Sequence, residues 1–286
     1  FPEREVNEDL VPSYPPPVSG YFNIGLLHTS LTGRAGHDTY APTDLPTLVA
    51  KGYDCWALGH VHAREVLNER PRIVFCGNLQ GRHAKETGAK GCELVTVEAG
   101  RIEAEFIALD VVRWRQLSVP LDGVDRLESL NEAFARALEP VLAGTTDRLH
   151  AVRVTLTGST ELHRLEAAQP GTLAAAMHAA AQDIGTAEIW IEQVRLDLST
   201  PLDRAQAAQR QDAVGELVRL VDTIAGNEQE LMRRAQVELG DLLGAMPAEV
   251  TAGDVPRRDD PAELRSLLMD AEATVLARLS ASGEEA

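Results

Sequence analysis

The sequence predicts an α/β protein, followed by a small α+β region and a helical tail. Three observations predict it. Residues 21–108 hold short apolar runs bounded by turn residues, the pattern of buried strands. A capped helical stretch lies between the first two runs, and alternation of strands with helix indicates layered α/β architecture. Beyond Pro201 the chain turns rich in Ala, Leu, Glu, Arg and Gln at helical spacing.

Taken in order, residues 1–20 contain Tyr14-Pro15-Pro16-Pro17, an extended loop that cannot be helical. Strands are predicted at 21–27, 53–58, 72–76, 92–98 and 102–108. Between the first two, Asp44-Leu45-Pro46-Thr47-Leu48-Val49-Ala50 reads as a helix, with Asp44 as its amino-terminal cap and Gly52 just past its end. A second pattern begins near residue 111. Strands at 114–121, 151–157 and 188–196 alternate with helices at 127–142 and 171–181. Helices follow at 203–245 and 261–281, separated by a linker at 251–260. The spacing of Leu217, Leu220, Val221 and Ile224 gives them an apolar face, which packs within its own domain or meets a partner. The expected domains are therefore 1–110, 111–200 and 201–286.

Composition narrows the function classes. With 44% hydrophobic residues in 286, the chain can build one large core or two smaller ones. It has no run approaching the ~18 apolar residues of a membrane span, so no membrane association is expected. Three cysteines without CxxC spacing fit neither a disulfide framework nor a zinc knuckle, and point to a reducing cytoplasm. The net charge of -17 opposes a polyanionic partner at long range. Its distribution is uneven: residues 60–92 hold six cations against three acids, and residues 201–286 nine cations against seventeen acids.

The residues with the clearest chemistry are His28, in Leu26-Leu27-His28-Thr29, and the pair in Gly59-His60-Val61-His62. Neutral imidazole is the commonest transition-metal ligand from protein. Open sheets place their sites just beyond the carboxyl ends of strands, where all three histidines fall. From an extended backbone His60 and His62 would point the same way, with Gly59 allowing a tight turn. His28, His60 and His62 are thus candidate metal ligands. His37 lies on a loop and His83 follows the run at 72–76, whereas His150, His163 and His178 have no paired partner and read as structural or solvated.

These residues resemble a known family. The Gly-His-Val-His element, the preceding His28, and Cys76-Gly77-Asn78-Leu79-Gln80-Gly81-Arg82-His83-Ala84-Lys85-Glu86 followed by Lys90-Gly91-Cys92 look like the carboxyl half of a calcineurin-like metallophosphoesterase. The nearest resemblance is to the SbcD-type DNA repair exonucleases, including the bacterial YhaO-like branch. It is specific over 21–98, weaker for a capping domain at 111–200, and only topical for the tail.

The resemblance implies part of a metallophosphoesterase β-sandwich flanked by helices, and hydrolysis of phosphodiester bonds in DNA by a two-metal mechanism. Two divalent ions, most commonly Mn2+, lie about 3.5–4 Å apart in such sites, bind the phosphate and supply a hydroxide. His28 and His60 would bind one ion and His62 the other. Asn78, Arg82, His83 and Lys85 would contact substrate, the cations anchoring backbone phosphates. The family's Asp-x-His, Gly-Asp-x-x-Asp and Gly-Asn-His motifs have no match here. The catalytic histidine and remaining ligands are accordingly expected upstream of Phe1, and this portion alone is expected to be inactive. The family's nuclease works with an SMC-like ATPase, a partner the tail could grip, and a homodimer is possible. Two other functions stay open: a phosphoesterase of the same superfamily acting on a small or protein substrate, and a non-catalytic module that docks a partner.

Overall fold

Strands β1 (Ile24–His28), β2 (Cys55–Gly59) and β4 (Arg72–Phe75) lie side by side and parallel, and β3 (Glu65–Glu69) closes one edge antiparallel to β4. The order is β1-β2-β4-β3. This computed structural model describes residues 6–32, 40–145, 147–185, 188–246 and 260–283. Most residues of β2 and every residue of β4 are buried, as expected of parallel strands. Helix α1 (Leu45–Ala50) follows its predicted signals: the Asp44 carboxylate accepts the Thr47 N–H at 2.7 Å, and Gly52 takes a φ of 79° beyond its end.

One face of this sheet builds the first core. Leu27, Leu58, Ile73 and Phe75 pack with Leu48 of α1 and with Val11, Tyr53 and Trp56. The Trp56 indole lies over Gly25, where a Cβ would come within 2.2 Å of the ring. The proline-rich segment is non-helical as predicted, preceded by a single 3-10 turn at Val11–Ser13. From it the Tyr14 hydroxyl donates to the Leu26 carbonyl on β1 at 2.6 Å.

A hairpin of β5 (Gly91–Glu98) and β6 (Arg101–Ala108) follows, turning through Ala99 and Gly100, both with positive φ. Glu93 of β5 accepts from Arg64 and from Arg72, whose side chain is 8% exposed against 2% for the carboxylate. Burial alone would raise the Glu93 carboxyl, but the Arg72 and Arg64 guanidinium groups hold it below its ordinary range. Ionised Glu93 therefore stabilises the fold above the usual glutamate pKa of about 4.3, and that contribution is lost as pH falls below it. Acid titrations of unfolding free energy should show this loss in the native chain and a flatter profile in Glu93→Gln; equal slopes would contradict it.

Strands β7 (Val112–Pro120), β8 (Leu149–Ser159) and β9 (Ile189–Ser199) form a three-stranded sheet in that order. Helix α2 (Leu127–Leu142) joins β7 to β8, and α3 (Leu162–Ala168) and α4 (Thr172–Asp183) join β8 to β9. Leu130, Phe134 and Leu138 of α2, and Leu173 and Met177 of α4, are buried. The tail comprises α5 (Arg204–Ala208), α6 (Ala213–Ala225), α7 (Glu228–Ala245) and α8 (Pro261–Gly283). Asp203, Asp212 and Asn227 cap α5, α6 and α7. Much of the apolar stripe of α6 is used internally: Val218 packs with Ala207 and Leu276, and Ile224 with Leu231 and Leu264.

The chain falls into two compact units, residues 1–116, 144–152 and 186–190 in one, and 117–143, 153–185 and 191–286 in the other. The division passes along β7, β8 and β9, and the predicted tail groups with the second unit. Most of the predicted linker, 251–259, lies outside the described residues, as does His37. Among the described residues, no helix is long and apolar enough to cross a membrane.

Candidate metal centre

The three parallel strands deliver their carboxyl ends to one edge of the sheet. His28 is the last residue of β1 and pairs in register with Gly59, the last of β2. Any side chain at 59 would collide with the imidazole, since a Cβ there would lie 2.9 Å from His28 Nδ1. His60 follows with a positive φ of 98°, so the backbone there is not extended. Its Nδ1 lies 3.3 Å from His28 Nε2, and the two rings stand perpendicular with centroids 5.2 Å apart.

That conformation overturns one expectation. The backbone at His60 is not extended, so His60 and His62 engage different partners: His60 meets His28, whereas His62 meets Glu86. Tyr40, which the sequence did not single out as a site residue, stacks on His60 at 5.9 Å and meets the edge of His28 at 5.3 Å. Its N–H donates to the Ser30 hydroxyl at 3.1 Å and its carbonyl accepts the Ser30 N–H at 2.8 Å. Buried Thr29 donates to the Ala41 carbonyl at 2.7 Å. Burial, with a smaller contribution from nearby His62, lowers the pKa of His28 and so favours its neutral form.

The loop after β4 surrounds His62. Gly77 takes a φ of 75°, and a Cβ there would meet the Arg64 amide nitrogen at 2.8 Å. Next to it, the Asn78 N–H donates to the His62 carbonyl at 3.1 Å. The hub is Glu86, another residue the sequence did not single out, with a side chain only 8% exposed. Its Oε1 lies 2.7 Å from His62 Nδ1, and its Oε2 accepts from Asn78 Nδ2 at 3.1 Å and from the Arg82 N–H at 2.8 Å. Burial pushes the Glu86 carboxyl up, but the Arg82 amide, His62 and the Arg82 guanidinium outweigh it and bring the pKa to about 2. The Glu86 carboxylate favours the neutral tautomer of His62 with its proton on Nδ1, while Arg82 Nη2, which can only donate, competes for the same nitrogen at 2.9 Å.

The predicted substrate-binding residues have mixed placements. Asn78 commits its amide to Glu86. Arg82 Nη2 lies 2.9 and 3.4 Å from the two ring nitrogens of His62, with the guanidinium still largely exposed. His83 Nδ1 accepts the Lys85 N–H at 3.3 Å, and both side chains face solvent. The remaining histidines are structural or solvated: buried His150 bonds the Thr145 carbonyl, His163 bonds Thr200, and His178 is exposed.

The donor chemistry of this edge fits a divalent transition ion, through two facing imidazoles and a third supported by a carboxylate. Among the described residues, no group of three or more His, Cys, Asp or Glu side chains converges closely enough to hold an ion.

Two comparisons bear on the family. Residues 114–199 match the family model for the middle domain of the metallophosphoesterase YhaO. The chain is also 36% identical over 207 residues to an uncharacterized metallophosphoesterase YhaO of Bacillus subtilis strain 168, an alignment taking in 70% of this chain and 48% of that protein. The chain thus spans about half the length of the curated relative it matches. Both findings support the metallophosphoesterase family.

Proposed function

We propose, from that likeness to metallophosphoesterases, that the protein is a metal-dependent phosphodiesterase acting on DNA, an exonuclease of a DNA repair complex. The observation that carries this reading is the His62–Glu86 pair beside the facing His28 and His60, all at the carboxyl edge of one parallel sheet. Two divalent ions, Mn2+ in the first instance, would be held by His28 and His60 on one side and His62 on the other. Bound there, they supply Lewis acidity toward phosphate oxygen and an acidified water.

The chain's own groups do the rest. Glu86 fixes the ring and tautomer of His62, Tyr40 and Gly59 hold the paired rings of His60 and His28, and Arg82 and Lys85 offer exposed cations to the phosphate backbone. The catalytic histidine and the further ligands belong to a portion of the polypeptide outside these residues. An SMC-like ATPase is the proposed partner, with residues 201–286 as its docking region.

The test uses the full-length protein with and without Mn2+, offering end-labelled linear DNA and, separately, bis(p-nitrophenyl) phosphate. Metal-stimulated shortening of the DNA supports the reading. Hydrolysis of the small diester with DNA left untouched would instead favour a phosphoesterase for small substrates.

A further inference from the structure

The three tryptophans differ sharply in environment. Trp56 is fully buried and Trp114 half-buried, whereas Trp190, at the start of β9, is 50% exposed. An indole can bury about 150–250 Å2, so leaving half of one in water forgoes much of its stabilising contribution. Trp190 is not isolated. Its ring meets that of Trp114 at 6.2 Å and 67°, and Trp114 Nε1 donates to the Gly81 carbonyl at 2.9 Å. The chain at Gly81 lies directly against this indole, since a Cβ there would fall 2.8 Å from Trp114 Cδ1.

The same strand anchors the rest of the loop. The Gln80 amide donates to the Val112 carbonyl at 2.6 Å, and its oxygen accepts the Val111 and Val112 N–H groups. Gln116 Nε2 donates to the Ala84 carbonyl at 2.9 Å. The open indole is therefore one ring removed from the loop that presents Arg82, His83 and Lys85 to solvent. An exposed aromatic ring joined through a second ring to a loop of exposed cations supplies the two elements by which proteins hold single-stranded nucleic acid: a ring that stacks on a base and cations that track the phosphates.

We propose that Trp190 is a stacking platform for a base of single-stranded DNA, supported by Trp114 and flanked by the Arg82–Lys85 loop. It rests on the DNA-directed reading above and adds a subsite for the bases, which that reading leaves unassigned. Because stacking uses the π-face common to all bases, the platform favours unpaired strands over duplex without selecting sequence.

The test titrates tryptophan emission of the protein with oligothymidylate, with no metal added so that nothing is cleaved. Quenching is expected in the native protein. Trp190→Ala should lose it and bind about tenfold or more weakly, while Trp190→Phe should retain affinity. An abasic strand of equal length should bind without quenching. Unchanged affinity in Trp190→Ala, or equal quenching by the abasic strand, overturns the platform. Metal-dependent cleavage separates the two readings: if native protein and Trp190→Ala cleave and bind DNA equally, the nuclease stands and the platform falls. If DNA is neither bound nor cleaved while bis(p-nitrophenyl) phosphate is hydrolysed, both fall.

Discussion

Trp56→Ala should destabilise the fold by about 3–5 kcal/mol, the range for deleting a fully buried large aromatic. The indole is completely inaccessible and belongs to the first core. It stacks on Tyr53 at 4.9 Å and 13°, and meets Tyr14 of the proline-rich segment at 5.2 Å. Its Nε1 donates to the Leu48 carbonyl at 3.1 Å, so alanine also leaves that buried acceptor without its partner. Collapse around the gap is limited, because the opposing strand presents Gly25, which has no side chain to move inward. Urea unfolding followed by circular dichroism measures the loss. A midpoint within experimental error of the native chain would show that the core does not depend on this ring.

The second large effect is on metal dependence. Glu86→Gln keeps the shape of the side chain and should weaken metal affinity or activity of the full-length protein about 10–100-fold, the usual consequence of removing a carboxylate behind a ligating histidine. With a pKa of about 2, Glu86 is ionised at neutral pH and accepts on both oxygens. Glutamine retains only one accepting oxygen. Turning its amide toward His62 Nδ1 sets donor against donor and favours the other tautomer, which moves the lone pair off Nε2. Mn2+ dependence of diester hydrolysis reads the change directly. Identical metal curves for the two proteins would remove Glu86 from its supporting role.

Much of this could be read from local sequence. Helix α2 has the bounds predicted for it, 127–142, because its apolar spacing is regular. Asp44 caps α1 as predicted, and the apolar runs of β1, β2 and β4 became adjacent parallel strands. β3 was missed: Glu65-Val66-Leu67-Asn68-Glu69 is short, lies at the sheet edge, and is broken by an irregularity between Val66 and Asn68. At the carboxyl edge of the sheet, the position of His60 and His62 just after β2 was legible because Gly-His-Val-His follows an apolar run. Glu86 was not, since in sequence it is one acid within a basic stretch, and only folding shows it buried among Asn78, Arg82 and His62. Tyr40 is likewise defined by hydrogen bonds to Ser30, ten residues away. The opposed partners of His60 and His62 depend on a single positive φ, which apolar periodicity does not encode.

That single φ also bears on how the protein has been shaped by selection. A non-glycine residue held in the left-handed region costs on the order of 1–3 kcal/mol. Position 60 is occupied by a side chain that the backbone there disfavours, directly after a glycine that could not be replaced without displacing His28. A sequence optimised only for thermal endurance would place glycine at 60 and give up an imidazole. Keeping histidine there trades folding stability for the facing pair of imidazoles, so a stabilising His60→Gly variant is expected to lose the contact with His28.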